Sequence, residues 1–283
     1  MTSLSLTCAA ASAMSAFINC LCALVCICSE LCARVVGSVC MRRGYHLWLA
    51  AVVSMIPFLQ GLSNPRSIFS NPNNFFNVKF VHCSCGWSFL LLSGFVLLVS
   101  LVPIGRPLLC LMHLTRLGIT SALCQGVPYL FQLLEDLTGS CEQPMAPGTL
   151  FLPRLETSQA CQDEGHQWQG YHISPQTFTL TLCSLSMAEE LAVFVRYLRR
   201  GYPARTALRL VFLLNASLLG LYNLLLICTA LYTSSYTQSV VGAAVGTLLW
   251  HLTYRCWYRT RYSPGPPGHG MFPRIAGGKN KLE

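Results

Sequence analysis

Charge is what this sequence has least of. Ionised side chains make up 10% of the 283 residues, against about 25% in an ordinary soluble domain. So few charges cannot cover a water-facing surface. With 53% hydrophobic residues, the soluble globular class is excluded. Acidic groups are scarcer still, 10 Asp and Glu against 19 Lys and Arg. The excess of base forms no mixed basic and aromatic patch, so a nucleic-acid partner is not expected. Residues 1–29 carry no charge. A cleaved leader needs a basic first segment, so cleavage is not expected. Alternating ten-residue strands of a membrane barrel are also missing. Paired C-x-x-C spacing is absent, although the chain has 16 cysteines. Six of them (Cys20, Cys22, Cys26, Cys28, Cys32 and Cys40) crowd the first segment. Most cysteines lie inside apolar runs, which excludes a secreted disulfide scaffold. Cys83-Ser-Cys85 also lies in such a run and reads as packing rather than zinc ligation. No metal and no cofactor is expected.

Long uncharged runs are what the sequence does have. A helix needs about 20 apolar residues to cross a bilayer core. Runs of that order cover 1–29, 44–65, 80–105, 117–134, 173–188 and 210–254. The last is long enough for two spans, broken near Tyr232 to Gln238. Backbone groups in lipid must pair within their own segment, so these runs are helices. The fold class is all-α, a polytopic membrane helix bundle with six or seven transmembrane helices. Residues 1–43 form a Cys-rich apolar segment that is either an extra span or a re-entrant or interfacial one. Residues 44–134 hold three core spans and 173–254 three more. An acidic loop occupies 135–172, and a basic tail 255–283.

The bases between these runs alternate. Sixteen of the 19 fall on one side of the implied membrane. They include Arg34, Arg42 and Arg43, then Arg106 and Arg116, then Arg196 to Arg209, then the tail. The base-rich side faces the cytosol. The acidic loop then faces the lumen, where Cys141 and Cys161 are either a disulfide or two free thiols. The sequon Asn215-Ala-Ser217 lies inside a span and is expected to stay unmodified.

Candidate chemistry is sparse. Glu189 and Glu190, near Arg196, read as interfacial ion pairs or as a contact to a partner or headgroup. Ser174, Thr177, Thr181 and Ser184 fall on one helix face beside Phe178. That stripe either packs against another helix or offers hydroxyls to lipid esters. Gly242-Ala-Ala-Val-Gly246 reads as a close helix contact. None of the seven histidines pairs with another at helical spacing, and no Ser/His/Asp or Cys/His set assembles.

Several segments together carry a family resemblance. Trp168-Gln-Gly-Tyr-His-Ile-Ser174 and Phe178-Thr-Leu-Thr-Leu-Cys-Ser-Leu-Ser-Met-Ala-Glu-Glu190 look like the signature of the fat storage-inducing transmembrane proteins. Leu134 to Cys141 is similar to their lumenal loop. Asn73 to Phe80 is similar to the entry of one of their spans. Arg209 to Asn215 and Ser263 to Pro273 resemble the type-1 branch. The resemblance runs from about Tyr45 to the tail. It implies six spans in the endoplasmic reticulum membrane, both termini in the cytosol, and a role in lipid droplet formation. It further implies diacylglycerol and triacylglycerol as ligands and other droplet-biogenesis proteins as partners. Some members of the family cleave fatty acyl-CoA at its diphosphate with two histidines. The matching positions here are Gln176 and Ser234. An amide offers neither a nucleophilic ring nitrogen nor a proton near neutral pH. The expected protein is a lipid binder without hydrolysis. The alternative is a diphosphatase with a rearranged site in which His172 or His166 substitutes.

Overall fold

The computed structural model describes residues 2–60, 67–71, 73–104, 107–142, 158–164, 167–232 and 235–271. The helices in chain order are α1 (Thr2–Val36), α2 (Val39–Ser54), α3 (Ile56–Gln60), α4 (Ser84–Ile104), α5 (Pro107–Thr138), α6 (Ser158–Asp163), α7 (Pro175–Arg199), α8 (Thr206–Tyr232) and α9 (Tyr236–Trp250). Two short strands, β1 (Ser140–Glu142) and β2 (Gln167–Gln169), pair antiparallel with Cys141 opposite Trp168. Six helical segments form the bundle: α2 with α3, then α4, α5, α7, α8 and α9. Among the described residues four helices are long and apolar enough to cross a membrane: 14–36, 107–138, 175–199 and 206–232.

The ends of these helices follow local chemistry. Ser38 caps α2, its Oγ accepting from Met41 N at 3.2 Å. Ser174 caps α7 the same way, accepting from Thr177 N at 3.3 Å, and Pro175 follows at the first helical position. Proline there loses no helix hydrogen bond. α9 passes into a π-helical turn, His251–Cys256, and a 3-10 turn, Trp257–Arg259.

α7 is the axis of the molecule. Buried residues make up 78% of its most apolar window, against 39% for α8, 28% for α5 and 11% for α1. Phe194 of α7 stacks on Phe212 of α8 at 4.2 Å, and Phe95 of α4 meets both. Gly242 and Gly246 bring α9 onto α7 at backbone distance. A β-carbon on Gly242 would stand 2.6 Å from Ser174 O, and one on Gly246 2.9 Å from Phe178 O. Glycine is the only residue that permits that approach. Large apolar side chains are exposed around the bundle, among them Phe58, Leu108, Leu130, Leu214 and Leu248. Such a surface suits lipid and not water.

α1 is one unbroken helix and does not turn back on itself. Its residues Met14 to Leu24 are exposed, while its last turns lie on the bundle. Arg209 at the start of α8 holds it there, donating to Ser29 Oγ at 2.7 Å and reaching Glu30 at 3.4 Å.

Arg116 corrects the sequence reading, which placed it on a connection. It lies inside α5 and is fully buried. Its Nε and Nη2 donate to the two carboxylate oxygens of Glu190 at 2.9 Å each. Nη1 reaches His113 Nδ1 at 2.6 Å and Gly265 O at 3.2 Å. Tyr254 OH donates to the same carboxylate at 3.3 Å. Glu189 pairs with Arg255 at 2.7 Å. Both glutamates are therefore ion-paired, but neither with Arg196, which donates instead to Pro267 O at 2.7 Å. A carboxylate takes the guanidinium that packing brings to it, and a neighbouring helix brings Arg116 closer than the same helix brings Arg196.

A buried bidentate pair is costly to break from one side, because the remaining charge has no water to turn to. Arg116→Met is expected to destabilise the folded chain in detergent by ~3–5 kcal/mol. Arg116→Met with Glu190→Met is expected to lose less than either single change. A denaturant series on the four proteins checks this. Losses that simply add would remove the pair from the account.

Candidate functional site

Two ends of the bundle and one groove hold the polar chemistry. At the hairpin end, β1 and β2 close over the end of α5. Cys141 and Cys161 are joined in a disulfide that ties α6 to β1, with Cys161 fully buried. Trp168 fills the space beside Gly139 and Gly170, and its Nε1 donates to Glu135 O at 3.4 Å. The hairpin thus delivers His172 to the last turns of α5. His172 Nδ1 meets Glu135 Oε2 at 2.7 Å, with the imidazole 44% exposed. A cavity of about 670 Å³ opens beside this pair, lined by Tyr129, Gln132, Glu135, Asp136, His172 and Pro175 among others.

The positions singled out in the sequence gather at the same end. Gln176 is half-buried in the first turn of α7, its Oε1 accepting from Ser174 Oγ at 3.5 Å. Ser174 N donates to Gln238 O at 3.3 Å, so the start of α9 touches the start of α7. Ser235 heads α9, its N–H donating to Gln238 Oε1 at 3.2 Å. Ser234 and His166 lie outside the described residues. His172 and Pro175 line the cavity, while Gln176 at the next position contacts Ser174.

The geometry limits the chemistry. Glu135 accepting at Nδ1 orients the ring of His172, a residue of the cavity lining, as a general base or nucleophile requires. A diphosphate is strongly anionic, however. The lining carries Glu135 and Asp136 and, among the described residues, neither Lys nor Arg. Electrostatic stabilisation of a transferring phosphoryl group calls for the opposite sign.

The α7 stripe is packed. Ser174, Thr177, Phe178, Thr181 and Ser184 are each at most 1% exposed. Phe178 stands edge-on to Phe131 of α5 at 5.3 Å, and Thr181 faces Gly246 of α9. These five side chains meet protein on every side. Asn215 of the sequon is likewise engaged, its Nδ2 donating to Leu91 O at 3.1 Å and Val211 O at 2.8 Å.

Sequence reasoning missed two features. The first is a groove between α4 and α5 whose walls are Phe89, Leu92 and Leu117 and whose polar groups are Ser88, Thr120 and Ser121. Its enclosed space is about 20 Å³, room for one small group rather than a whole lipid. The second lies at its floor. The sulfurs of Cys85, Cys124 and Cys183 fall within 4.8 Å of one another, from three different helices. Chain spacing carries no trace of either, because the residues converge only through packing.

Comparison with known proteins places these features. No family model matches the chain, and no solved structure matches it. Among curated proteins it is 50% identical over 246 residues to the fat storage-inducing transmembrane protein 1 of Homo sapiens, which spans 87% of this chain and 84% of that protein. The Bos taurus protein of the same name is 53% identical over the same shares. The acyl-coenzyme A diphosphatase FITM2 of Homo sapiens is 34% identical over 195 residues, 67% of this chain and 73% of its own. Identity at that level over that length leaves one conclusion: the chain belongs to the fat storage-inducing transmembrane protein family.

Proposed function

We propose that this protein promotes lipid droplet formation in the endoplasmic reticulum membrane by binding diacylglycerol and triacylglycerol, without hydrolysing them or acyl-CoA. The observation that carries the reading is the α4–α5 groove, apolar at its walls and hydroxyl-bearing at its edge. Neutral acylglycerols already favour the bilayer by about 0.8 kcal/mol per buried CH₂. A protein that gathers them needs no charge, only an apolar face and a few donors for ester carbonyls. Thr120 and Ser121 lie half-buried on that face. Thr120 Oγ1 donates to Arg116 O at 3.1 Å in the structure and would exchange that backbone acceptor for an ester carbonyl. The fat-storage names of the relatives at 50% identity agree with this reading. Holding such lipids side by side would lower the barrier to an oil lens between leaflets. Other droplet-biogenesis proteins would dock on the same membrane.

The arginine-rich end is assigned to the cytosol, with the tail, and the disulfide hairpin to the lumen. An oxidising lumen suits the Cys141–Cys161 bridge.

One observation favours a second reading, a lumenal acyl-CoA diphosphatase with a rearranged site. It is the His172–Glu135 contact, an exposed and oriented imidazole beside a cavity. The acidic lining argues against it, as does an amide at Gln176 where the enzymatic branch of the family has imidazole.

Three measurements test the proposal. Purified chain is expected to take up more labelled triacylglycerol than an unrelated six-span protein. Thr120→Val with Ser121→Ala should cut uptake roughly threefold to tenfold, the equivalent of one or two ordinary hydrogen bonds. Loss instead on Thr181→Val with Ser184→Ala would move lipid binding to the α7 stripe. Acyl-CoA cleavage is expected to be flat in the native chain and to appear on Gln176→His with Ser234→His. Cleavage by the native chain, abolished in His172→Ala, would establish the second reading. Protease or tag mapping is expected to find 135–172 and the tail on opposite faces of the membrane.

A further inference from the structure

The arginine end contains a second and larger cavity, of about 930 Å³, that neither lipid binding nor hydrolysis uses. Four separated segments build it, α7 among them through Glu189. α2 supplies Arg42 and Arg43, the turns after α9 supply Arg255 and Arg259, and the folded-back tail supplies Pro266 and His269. Glu189 is the one acidic residue of the lining. That carboxylate is already engaged by Arg255 at 2.7 Å. Arg255 is held further by Arg42 O at 3.2 Å and by the face of Trp250, 5.1 Å from the ring centre. Arg42, Arg43 and Arg259 have no carboxylate within ion-pair distance among the described residues, and all three are exposed. Glu189 offsets part of the positive charge at Arg42, and an anion in the concavity would be drawn by the remainder.

The tail wall is built for this position. Gly265, Gly268 and Gly270 all adopt positive φ, from 73° to 78°. Only glycine takes that conformation without strain. It turns the chain back so that Met271 is buried and Arg196 donates to Pro267 O. A loose basic tail would need none of these contacts.

We propose that this cavity binds a phosphate monoester, most simply the headgroup of an anionic lipid in the leaflet that meets the arginine end. Guanidinium forks match phosphate oxygens two at a time, and a monoester offers more charge than a diester. Exposed Val39 of the lining offers an apolar surface to the lipid's glycerol and first methylenes. Topology alone accounts for arginines at this end, so the test compares arginines inside the cavity with arginines outside it.

The full chain is reconstituted in phosphatidylcholine nanodiscs doped with a phosphatidic acid, and bound lipid is counted by native mass spectrometry. Retention of the phosphomonoester lipid is expected to exceed that of phosphatidylcholine by about tenfold. Arg42→Gln with Arg259→Gln should remove most of that excess. Arg199→Gln with Arg205→Gln, an equal charge change at exposed positions outside the cavity, should leave it. A melting curve of each variant in plain phosphatidylcholine separates lost binding from lost folding. Glycerol phosphate in solution serves as the competing arm. Displacement of the lipid at matched concentration supports the phosphate site and assigns it to a soluble monoester, whereas no displacement assigns it to the lipid. Equal losses in both variant pairs, or no excess over phosphatidylcholine, would overturn the proposal.

Discussion

A single buried ion pair sets the geometry of the arginine end. Arg116 and Glu190 are 0% and 2% exposed at their side chains, in a bundle with apolar surroundings. Neither charge survives there alone, so α5 and α7 must meet in one register. The remaining guanidinium donors then choose their own partners, His113 on α5 and Gly265 in the tail. Tyr254 adds the turn after α9 to the same carboxylate. Four separate pieces of chain are thereby fixed by one side-chain pair. The wall of the basic cavity, which contains Pro266 and His269, exists because Gly265 is held at Arg116.

The opposite end is organised by different chemistry. A covalent bridge and a two-stranded pairing replace ion pairs as the clamp. Their product is local: they present His172 to Glu135 and leave the imidazole half in solvent. An oriented imidazole is necessary for acid–base or nucleophilic work, but binding a diphosphate needs cations as well. The basic residues of the described chain are concentrated toward the other end, where Arg116 lies nineteen positions before Glu135 on α5, ~28 Å along the helix. That segregation of charge leaves the cavity at the hairpin end without the cations an anionic substrate would need.

The sequence made some of this legible and hid the rest for physical reasons. Apolar runs separated by bases report helices, because lipid enforces their length and internal hydrogen bonding. The break between Tyr232 and Tyr236 is readable for the same reason, since an uninterrupted run of that length fits no single crossing. Gly242 and Gly246 announce a close contact because nothing larger fits one. Arg116 was not readable as interior. A charge nine residues into a helix looks like the edge of a span until a partner on another helix is known. Glu190 and Arg116 are 74 positions apart, and no periodicity links them. The thiols of Cys85, Cys124 and Cys183 and the α4–α5 groove are hidden likewise, because each is a product of three-dimensional packing alone.

The α7 stripe shows how a polar pattern in a membrane helix divides between two uses. Hydroxyls at helical spacing signal a face that avoids lipid tails, and that face can meet protein or ligand. Here the glycines of α9 favour contact with protein. With no side chain at Gly242 and Gly246, α9 comes near enough to cover Ser174 and Thr181 itself. Hydroxyls of α4 and α5, among them Thr120 and Ser121, line the groove beside Phe89. A neutral ester needs only one weak donor in an apolar setting, where a hydrogen bond meets little competition from water. On the proposed reading the groove hydroxyls would meet that requirement, while the α7 stripe is covered by its own neighbour.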